Sequence, residues 1–178
     1  KDAIPGFINE SWTRVEQPGI YRGQCTELCG KDHGFMPVVV EVKSQEDYAS
    51  WLGEKKAEAA KLAELTSKEW TLEELSERGE KVYQTACGSC HQPTGEGIPP
   101  MFPALKGSAI ATGDVEAHIN IVVNGKPGTA MAAFGKQLSE VDLAAVITYE
   151  RNAWGNETGD MVTPKDVLDF KQAEEATQ

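Results

Sequence analysis

The sequence predicts a short β segment followed by an all-α domain. Three observations support this division. Residues 37–42 form a β-branched run between a methionine and a lysine, beginning with proline, which is typical of a strand. Beyond residue 44, Ser, Thr and Asp at capping positions precede stretches rich in Ala, Glu, Lys and Leu, as at the start of helices. Glycine and proline are concentrated at residues 92–113, which indicates a loop between two helices.

The β segment covers residues 1–43. Besides the strand at 37–42, short extended runs occur at Trp12–Val15 and Gly19–Arg22, and Pro-Gly pairs separate them as turns. About three short strands are too few for a closed sandwich, so we interpret this segment as the second half of a β domain. Because the sequence opens at Lys1 without an initiator Met, we expect a mature product or a fragment.

Two long helices are predicted after the β segment. Ser44 is the expected N-cap of a helix over about 45–65, which Gly53 should break or weaken. Thr71 begins a capping box at the start of a second helix, which covers about 72–86.

Two further helices and a tail complete the predicted all-α part. Asp114 caps a short helix to about residue 123, and Ser139 caps a last helix through about residue 152. Residues 157–178 contain few apolar residues, so we expect an acidic mobile tail there. The predicted parts are the β segment at 1–43, a helical linker at 44–71, the all-α domain at 72–156 and the tail at 157–178.

The net charge of −11 is concentrated in two segments. Residues 44–80 carry ten acidic and five basic residues, and residues 157–178 carry six and two. Such runs are usually solvated faces, although they can also steer a basic protein partner. The absence of a basic patch disfavours nucleic-acid binding. No stretch approaches the ~18–20 uninterrupted apolar residues of a membrane span.

The motif Cys87-x-x-Cys90-His91 is typical of covalent haem attachment. Two thiols three positions apart at a helix end can both reach the vinyl groups of one porphyrin, and the adjacent histidine supplies the fifth iron ligand. A thioredoxin-like dithiol would need a βαβ pattern, and a zinc site would need a second ligand pair. The sequence around the motif has neither.

Met131 is the predicted sixth iron ligand. It lies after His91 on a glycine-flanked loop just before the last helix, and a thioether there raises the reduction potential and closes the iron to other ligands. Met101, which sits between prolines, is the alternative ligand, and Met161 lies beyond the last helix. His118 is expected to be a surface residue or a structural residue.

A second donor cluster precedes the haem motif. Cys25, Cys29, His33 and Met36 fall within twelve positions, and thiolates with imidazole and thioether suit copper. One thiolate would indicate a mononuclear site, whereas two on one loop permit a dicopper centre bridged by both sulfurs. A disulfide, a zinc site or two reduced buried thiols are the alternatives, and none of them explains the methionine.

Residues 72–155 resemble a class I cytochrome c. The resemblance implies that the Pro103 carbonyl orients His91 and that the first and last helices of the domain cross. Ala132 stands where proline commonly follows the ligand methionine. The matching residues are Gly79, Tyr83, Cys87, Cys90, His91, Pro103, Ala104, Leu105, Gly107, Met131, Tyr149 and Trp154.

The order Cys-x-Glu-x-Cys-x-x-x-His-x-x-Met resembles the binuclear CuA loop of cytochrome c oxidase subunit II. Residues 2–6 and 37–42 are also similar to segments on either side of that loop, so the resemblance implies a cupredoxin-like fold for the β segment. It implies bridging by Cys25 and Cys29 and ligation by His33, Met36 and the backbone carbonyl of Glu27.

That family supplies a second copper-ligating histidine upstream of the loop, and no histidine precedes Cys25 here. The resemblance therefore implies a C-terminal piece of a longer subunit II. Binuclear CuA is expected in the intact protein, and its site should be incomplete in this chain.

A CuA loop followed by a fused cytochrome c resembles subunit II of caa3-type oxidases. The resemblance implies a subunit of cytochrome-c oxidase at the periplasmic face of the bacterial cytoplasmic membrane, attached there only through N-terminal helices absent from this sequence. Haem c would accept electrons from a soluble or membrane-bound cytochrome c or a complex III-type donor. It would pass them through CuA towards haem a of subunit I, which holds the oxygen-reducing site. One alternative is a free monohaem carrier or sensor with a degenerate, copper-free β segment. Another is an electron-feeding module of a different copper enzyme.

Overall fold

A computed structural model describes Asp2 and residues 4–176. The chain divides into two compact units with a boundary between Glu58 and Ala59. This boundary falls inside the segment 44–71, which the sequence analysis expects to link the two parts.

The first unit contains a two-stranded antiparallel sheet. β1 (Gly19–Gln24) and β2 (Pro37–Val42) pair along their whole length, and a 3₁₀ helix at His33–Phe35 lies in the connection between them. The predicted strand over residues 37–42 is therefore confirmed. The extended run at Trp12–Val15 joins no sheet among the described residues.

The valines of β2 remain largely open to solvent in this unit. Val38 and Val40 are 52% and 48% exposed and lie on the same face, because alternate residues of a strand point the same way. Tyr21, opposite Val40, extends this apolar face and is 43% exposed. The pairing of the two strands is therefore held by ladder hydrogen bonds rather than by a buried core.

α1 (Gln45–Ser67) is one continuous helix. The Ser44 hydroxyl accepts a hydrogen bond from the Asp47 N–H at 3.1 Å, as expected of an N-cap. The expected break at Gly53 is wrong, because a single glycine costs only about 1 kcal/mol among strong helix formers. None of the α1 residues is buried.

The second unit is all-α, which confirms the predicted fold class. The N-caps expected at Thr71, Asp114 and Ser139 are all present, and Thr71 and Glu74 form the full capping box. The helices are α2 (Leu72–Ala86), α3 (Gly88–His91), α4 (Ala109–Thr112), α5 (Val115–Asn124), α6 (Glu140–Asn152) and α7 (Pro164–Glu175).

The core of this unit forms where α2 packs against α6. α2 buries one stripe, Leu75, Gly79 and Tyr83, at the four-residue spacing of a helix face. α6 is buried on nearly every side, since residues 143–148 are at most 1% exposed. A Cβ at Gly79 would overlap the carbonyl of Ala145 and lie 2.6 Å from Tyr149 Cβ. The two backbones therefore approach more closely than any larger residue permits.

A buried arginine fixes the chain beyond α6. The Arg151 guanidinium, 2% exposed, donates to Asp160 Oδ1 and Oδ2 at 2.7 and 2.6 Å. It also donates to the carbonyls of Ala111 and Gly113 at 3.2 and 2.9 Å. One side chain thus joins α4, α6 and the segment that leads to α7.

The expected mobile tail at 157–178 is corrected over most of its length. Val162 and Val167 are fully buried in the core, and α7 packs against α6. The low apolar content of this segment did not predict its packing against α6. Two buried valines and the hydrogen bonds of Arg151 are enough to hold it there. Residues 177–178 lie outside the described part of the chain.

Within the described residues, no helix combines the length and apolar character needed to cross a bilayer.

Replacing Gly79 with Ala should destabilise the second unit by about 3 kcal/mol, because the added methyl overlaps the α6 backbone. Chemical denaturation followed by far-UV circular dichroism measures this change. Gly53→Ala is the matched control, since nothing lies within 4 Å of its Cβ position, and it should not lower stability. Equal stability of the two variants would contradict the close approach of α2 and α6.

Replacing Asp160 with Asn should cost about 1–2 kcal/mol at neutral pH, because buried Arg151 loses a partner that is itself 42% exposed. The hydrogen bonds from Arg151 lower the Asp160 pKa from 3.8 to about 2. A depressed folded-state pKa means that this stabilisation is present above pH 3.8 and is lost as the pH falls towards 2.

Denaturation at several pH values checks this dependence, and the parent and Asp160→Asn should converge near pH 2. Asp169→Asn, which removes an exposed partner of Lys165, is the control and should change stability by less than about 0.5 kcal/mol. A difference between parent and Asp160→Asn that persists unchanged at pH 2 would contradict the ion-pair explanation.

Candidate metal centres

The predicted haem-attachment residues lie on one continuous turn at the end of α2. Cys87 caps α2 through its N–H bond to the Tyr83 carbonyl at 2.9 Å. The N–H groups of Cys90 and His91 both bond to the Cys87 carbonyl, at 3.1 and 3.0 Å. Both thiols are free and partly buried. The motif thus forms the short helix α3. Because α3 directly follows α2, the packing of α2 against the core sets its position.

A backbone carbonyl orients the His91 ring. His91 Nδ1 lies 2.9 Å from the Pro103 oxygen, the contact that the cytochrome resemblance implies. A carbonyl can only accept, so Nδ1 carries the proton and Nε2 is left with its lone pair for a metal. Gly97, whose N–H bonds to the His91 carbonyl at 2.9 Å, holds the intervening loop. Its φ of 66° and the Pro103 oxygen 2.6 Å from its Cβ position both require glycine.

Three aromatic rings attach this loop to the helices. The centroids of Tyr83, Tyr149 and Trp154 lie 4.8–5.6 Å apart. The Tyr83 hydroxyl donates to the Gln92 carbonyl at 2.6 Å, and Trp154 Nε1 donates to the Pro93 carbonyl at 3.1 Å. Burial raises the pKa of Tyr83, so it remains a neutral donor. These bonds fix the chain immediately after the attachment motif.

Met131 lies on a structured turn between α5 and α6. Its carbonyl accepts from the Lys126 N–H at 3.1 Å, and its N–H donates to the Thr129 hydroxyl at 3.2 Å. Gly125, with φ of 71°, lets the turn close, since its Cβ position is 2.6 Å from the Met131 oxygen. The Met131 side chain is partly buried, whereas its rival Met101 is 74% exposed.

A buried acid–base pair lies beside the attachment turn. His118 is 2% exposed and its Nε2 lies 2.9 Å from the Glu150 carboxylate, which is 4% exposed. Burial, followed by the charge of Glu150 and a hydrogen bond to it, raises the pKa of Cys87. The sequence predicted a surface or structural role for His118, whereas Glu150 was not among the predicted site residues. An acidic residue within an otherwise apolar helix was the available signal.

The predicted copper donors are brought together on the loop between β1 and β2. The candidate ligand atoms of Cys25, Cys29 and His33 all lie within 4.8 Å of one another. Cys29 Sγ is 3.5 Å from His33 Nδ1 and 3.3 Å from Met36 Sδ. Cys25 Sγ lies 3.1 Å from the Glu27 backbone carbonyl. All five residues that the CuA resemblance implicates therefore form one cluster.

Two thiols, an imidazole and a thioether are a donor set that suits copper rather than a hard cation. Both cysteines are free, so the structure does not contain the alternative disulfide. A hydrogen bond with Cys25 raises the pKa of Cys29. Cys29 is exposed and Met36 is 48% exposed, so the cluster is open to solvent.

Family models match both parts of the chain. Residues 1–43 match the periplasmic domain of cytochrome c oxidase subunit II, and residues 74–149 match subunit III of cbb3-type cytochrome c oxidase. The first match contains the copper-donor loop, and the second contains the haem-attachment motif.

Individual relatives agree with this division. Subunit 2 of cytochrome c oxidase from Alkalihalophilus pseudofirmus is 29% identical over 161 residues, which are 85% of this chain and 44% of that protein. A probable subunit 2 from Rickettsia bellii is 56% identical over 59 residues, 33% of this chain and 22% of that protein. The Cereibacter sphaeroides subunit 2 is 52% identical over 52 residues, 29% and 17% of the two chains. The chain thus spans less than half the length of these relatives.

The structure thus combines a copper-donor loop with an all-α domain that carries a haem-attachment motif, and both are features typical of electron-transport proteins. The chain is similar to cytochrome c oxidase subunit II, as its two motifs indicate.

Replacing Cys29 with Ser should weaken Cu(I) binding at the loop by at least about 100-fold, because this sulfur lies closest to both His33 and Met36. Competition against a coloured Cu(I) chelator measures the affinity. Glu27→Gln is the matched control and should change it less than about threefold, because the Glu27 contact to Cys25 uses the backbone carbonyl. Equal affinities for parent and Cys29→Ser would place copper elsewhere.

Proposed function

We propose that this chain is the electron-entry part of a terminal respiratory oxidase. Haem c would receive an electron from an external donor, and the copper centre would carry it towards haem a of subunit I. The observation that carries this proposal is the presence of two assembled redox-metal donor sets on one chain, at residues 25–36 and 87–91.

Haem c supplies a one-electron iron couple when bound, and the chain offers a donor set that fits it. Cys87 and Cys90 would attach the porphyrin through thioethers, while His91 and Met131 would ligate the iron. Pro103 orients the imidazole by accepting from Nδ1, which leaves the Nε2 lone pair available for the iron. With His91 and Met131 both holding the iron, the site would serve electron transfer and would be closed to oxygen.

Binuclear copper supplies a second one-electron couple when bound. The thiolates of Cys25 and Cys29, together with His33, Met36 and the Glu27 carbonyl, would hold the two ions. A binuclear centre would share one electron between its two metals and so would keep rearrangement on transfer small. The second histidine of the CuA resemblance would have to come from outside this sequence.

The proposed partners follow from these roles. Subunit I would take electrons from the copper centre, and a soluble or membrane-bound cytochrome c or a complex III-type donor would reduce the haem. The acidic surface of residues 44–80 suits a basic donor. The proposed location is the periplasmic face of the bacterial cytoplasmic membrane, where the oxidase donor and the haem-attachment machinery both operate.

The exposed copper loop favours a second candidate, a monohaem carrier whose β segment binds no copper. Iron and copper content per chain, measured on protein matured with haem and offered copper, separates the two functions. One iron with two coppers supports the oxidase role, and flash reduction of the haem should then be followed by bleaching of the copper absorption band. One iron without copper supports the carrier only if free imidazole, offered in place of the second copper-ligating histidine that this sequence lacks, does not restore copper binding. A chain without covalent iron contradicts both functions.

Replacing Met131 with Ala should lower the haem reduction potential and open the iron to carbon monoxide, because the thioether raises the potential and occupies the sixth position. Redox titration and the optical spectrum under carbon monoxide measure these effects. Met101→Ala is the control, since this exposed side chain should leave both properties unchanged. Carbon monoxide binding in Met101→Ala but not in Met131→Ala would identify Met101, rather than Met131, as the sixth iron ligand.

A further inference from the structure

Asn156 joins the loop that follows the haem-attachment turn to the end of α6. Its Nδ2 donates to the Glu150 carbonyl at 2.6 Å and to the Leu105 carbonyl at 3.2 Å, and its Oδ1 accepts from the Gly107 N–H at 2.7 Å. Both amide hydrogens and the oxygen of this partly buried side chain are therefore used on backbone groups. Leu105 and Gly107 are 51 and 49 positions away in the sequence, so these bonds are tertiary contacts.

A tight turn at the end of α6 brings Asn156 back to this loop. The Asn156 N–H bonds to the Ala153 carbonyl at 2.9 Å, and the two residues between them, Trp154 and Gly155, have positive φ values of 57° and 91°. A positive φ is uncommon for a residue as bulky as tryptophan and persists only where surrounding contacts fix it. The contacts here are the bond from Trp154 Nε1 to Pro93 and the three bonds of the Asn156 side chain.

The loop at residues 92–107 is held to the helices at two places. Core aromatic rings hold its start, through the carbonyls of residues 92 and 93. Backbone hydrogen bonds tie its later part to Gly95 and Ile98, which belong to the same loop. Asn156 supplies the hydrogen bonds that join residues 102–107 to α6, so it fixes this later part against the core.

The Pro103 carbonyl, which orients the His91 ring, lies in the part of the loop that Asn156 holds. Proline has no N–H, so Pro103 cannot fix its own position by donating a backbone hydrogen bond. Leu105, only two residues later, accepts from Asn156 and so limits how far the Pro103 carbonyl can move. The contact of this carbonyl with His91 Nδ1 is 2.9 Å long, and a shift of about 1 Å would take it beyond hydrogen-bonding distance.

We propose that Asn156 is a positioning residue for the imidazole that ligates the haem iron. It holds residues 105–107 against α6, and this keeps the Pro103 carbonyl bonded to His91 Nδ1. The inference rests on the proposed attachment of haem at the Cys87 turn. A hydrogen bond at the second ring nitrogen fixes the tautomer and orientation of a metal-ligating histidine and raises its basicity. Asn156 thus acts on the iron site through the backbone of the loop.

The chain offers a matched control in Asn152, the last residue of α6, which makes the same three kinds of hydrogen bond. Its Nδ2 donates to the Thr148 and Asp160 carbonyls at 2.8 and 2.9 Å, and its Oδ1 accepts from the Gly159 N–H at 2.9 Å. These bonds hold the segment that leads to α7 rather than the haem loop. Asn156→Ala and Asn152→Ala should therefore lower the melting temperature to similar extents, but only the first should loosen the haem loop.

The measurement is the solvent exchange of the His91 Nδ1 proton, followed by NMR in the reduced, haem-containing chain after transfer to deuterated water. This proton is protected while it is bonded to the Pro103 carbonyl, so its exchange rate reports how often that bond opens. Asn156→Ala should raise the rate at least about tenfold relative to the parent, whereas Asn152→Ala should stay within about threefold of it.

An isosteric pair keeps the test decisive if the alanine variants do not fold. Asn156→Asp retains the shape of the side chain and the acceptor for the Gly107 N–H, but its carboxylate cannot donate to either carbonyl. At neutral pH it should also raise the His91 exchange rate at least about tenfold, and Asn152→Asp should again stay within about threefold of the parent.

Failure of this inference differs from failure of the proposed function. A chain without covalent haem, seen by its mass and its pyridine haemochrome spectrum, overturns the haem assignment itself. Covalent haem with an unchanged His91 exchange rate in the folded Asn156 variants overturns only the positioning role. Equal acceleration in the Asn156 and Asn152 variants would also overturn it, because a general loss of stability would then account for the change.

Discussion

The close approach of α2 and α6 at Gly79 is the constraint on which the second unit depends. Helix α2 ends in the attachment turn, so the position of Cys87 is set by how α2 sits on α6. The ion pair between Arg78 and Asp142, 2.7 Å apart, ties the same two helices next to this contact. A larger residue at Gly79 would separate the backbones and move the attachment turn away from the core.

Near this contact, backbone carbonyls are the acceptors that orient the residues of the proposed haem site. The carbonyls of Gln92 and Pro93 receive bonds from two core aromatic rings, and the Pro103 carbonyl then reaches His91. A backbone acceptor on a loop fixed in this way holds the imidazole in one tautomer and one orientation.

The two donor sets differ in how they are supported. The residues of the attachment turn belong to a packed core, whereas the copper-donor loop joins two strands whose apolar face is open to solvent. Cys25, Cys29 and His33 nevertheless converge, because the short loop and its 3₁₀ turn bring residues four apart to one side. The local geometry of the loop is thus sufficient to bring the copper donors together. To exclude water from these donors, a further surface would have to pack over the loop.

The sequence by itself determined the elements and the chemistry. Caps such as Thr71 and Ser139 predicted where helices begin, and the spacing of Cys87, Cys90 and His91 predicted the attachment motif, because both depend on neighbours within a few residues. Only the tertiary structure decided the docking of α7, the burial of Arg151 and the pairing of His118 with Glu150, which lies 32 residues away. These features depend on side chains that meet across the core, and no local pattern of apolar or charged residues specifies which distant partner each of them finds.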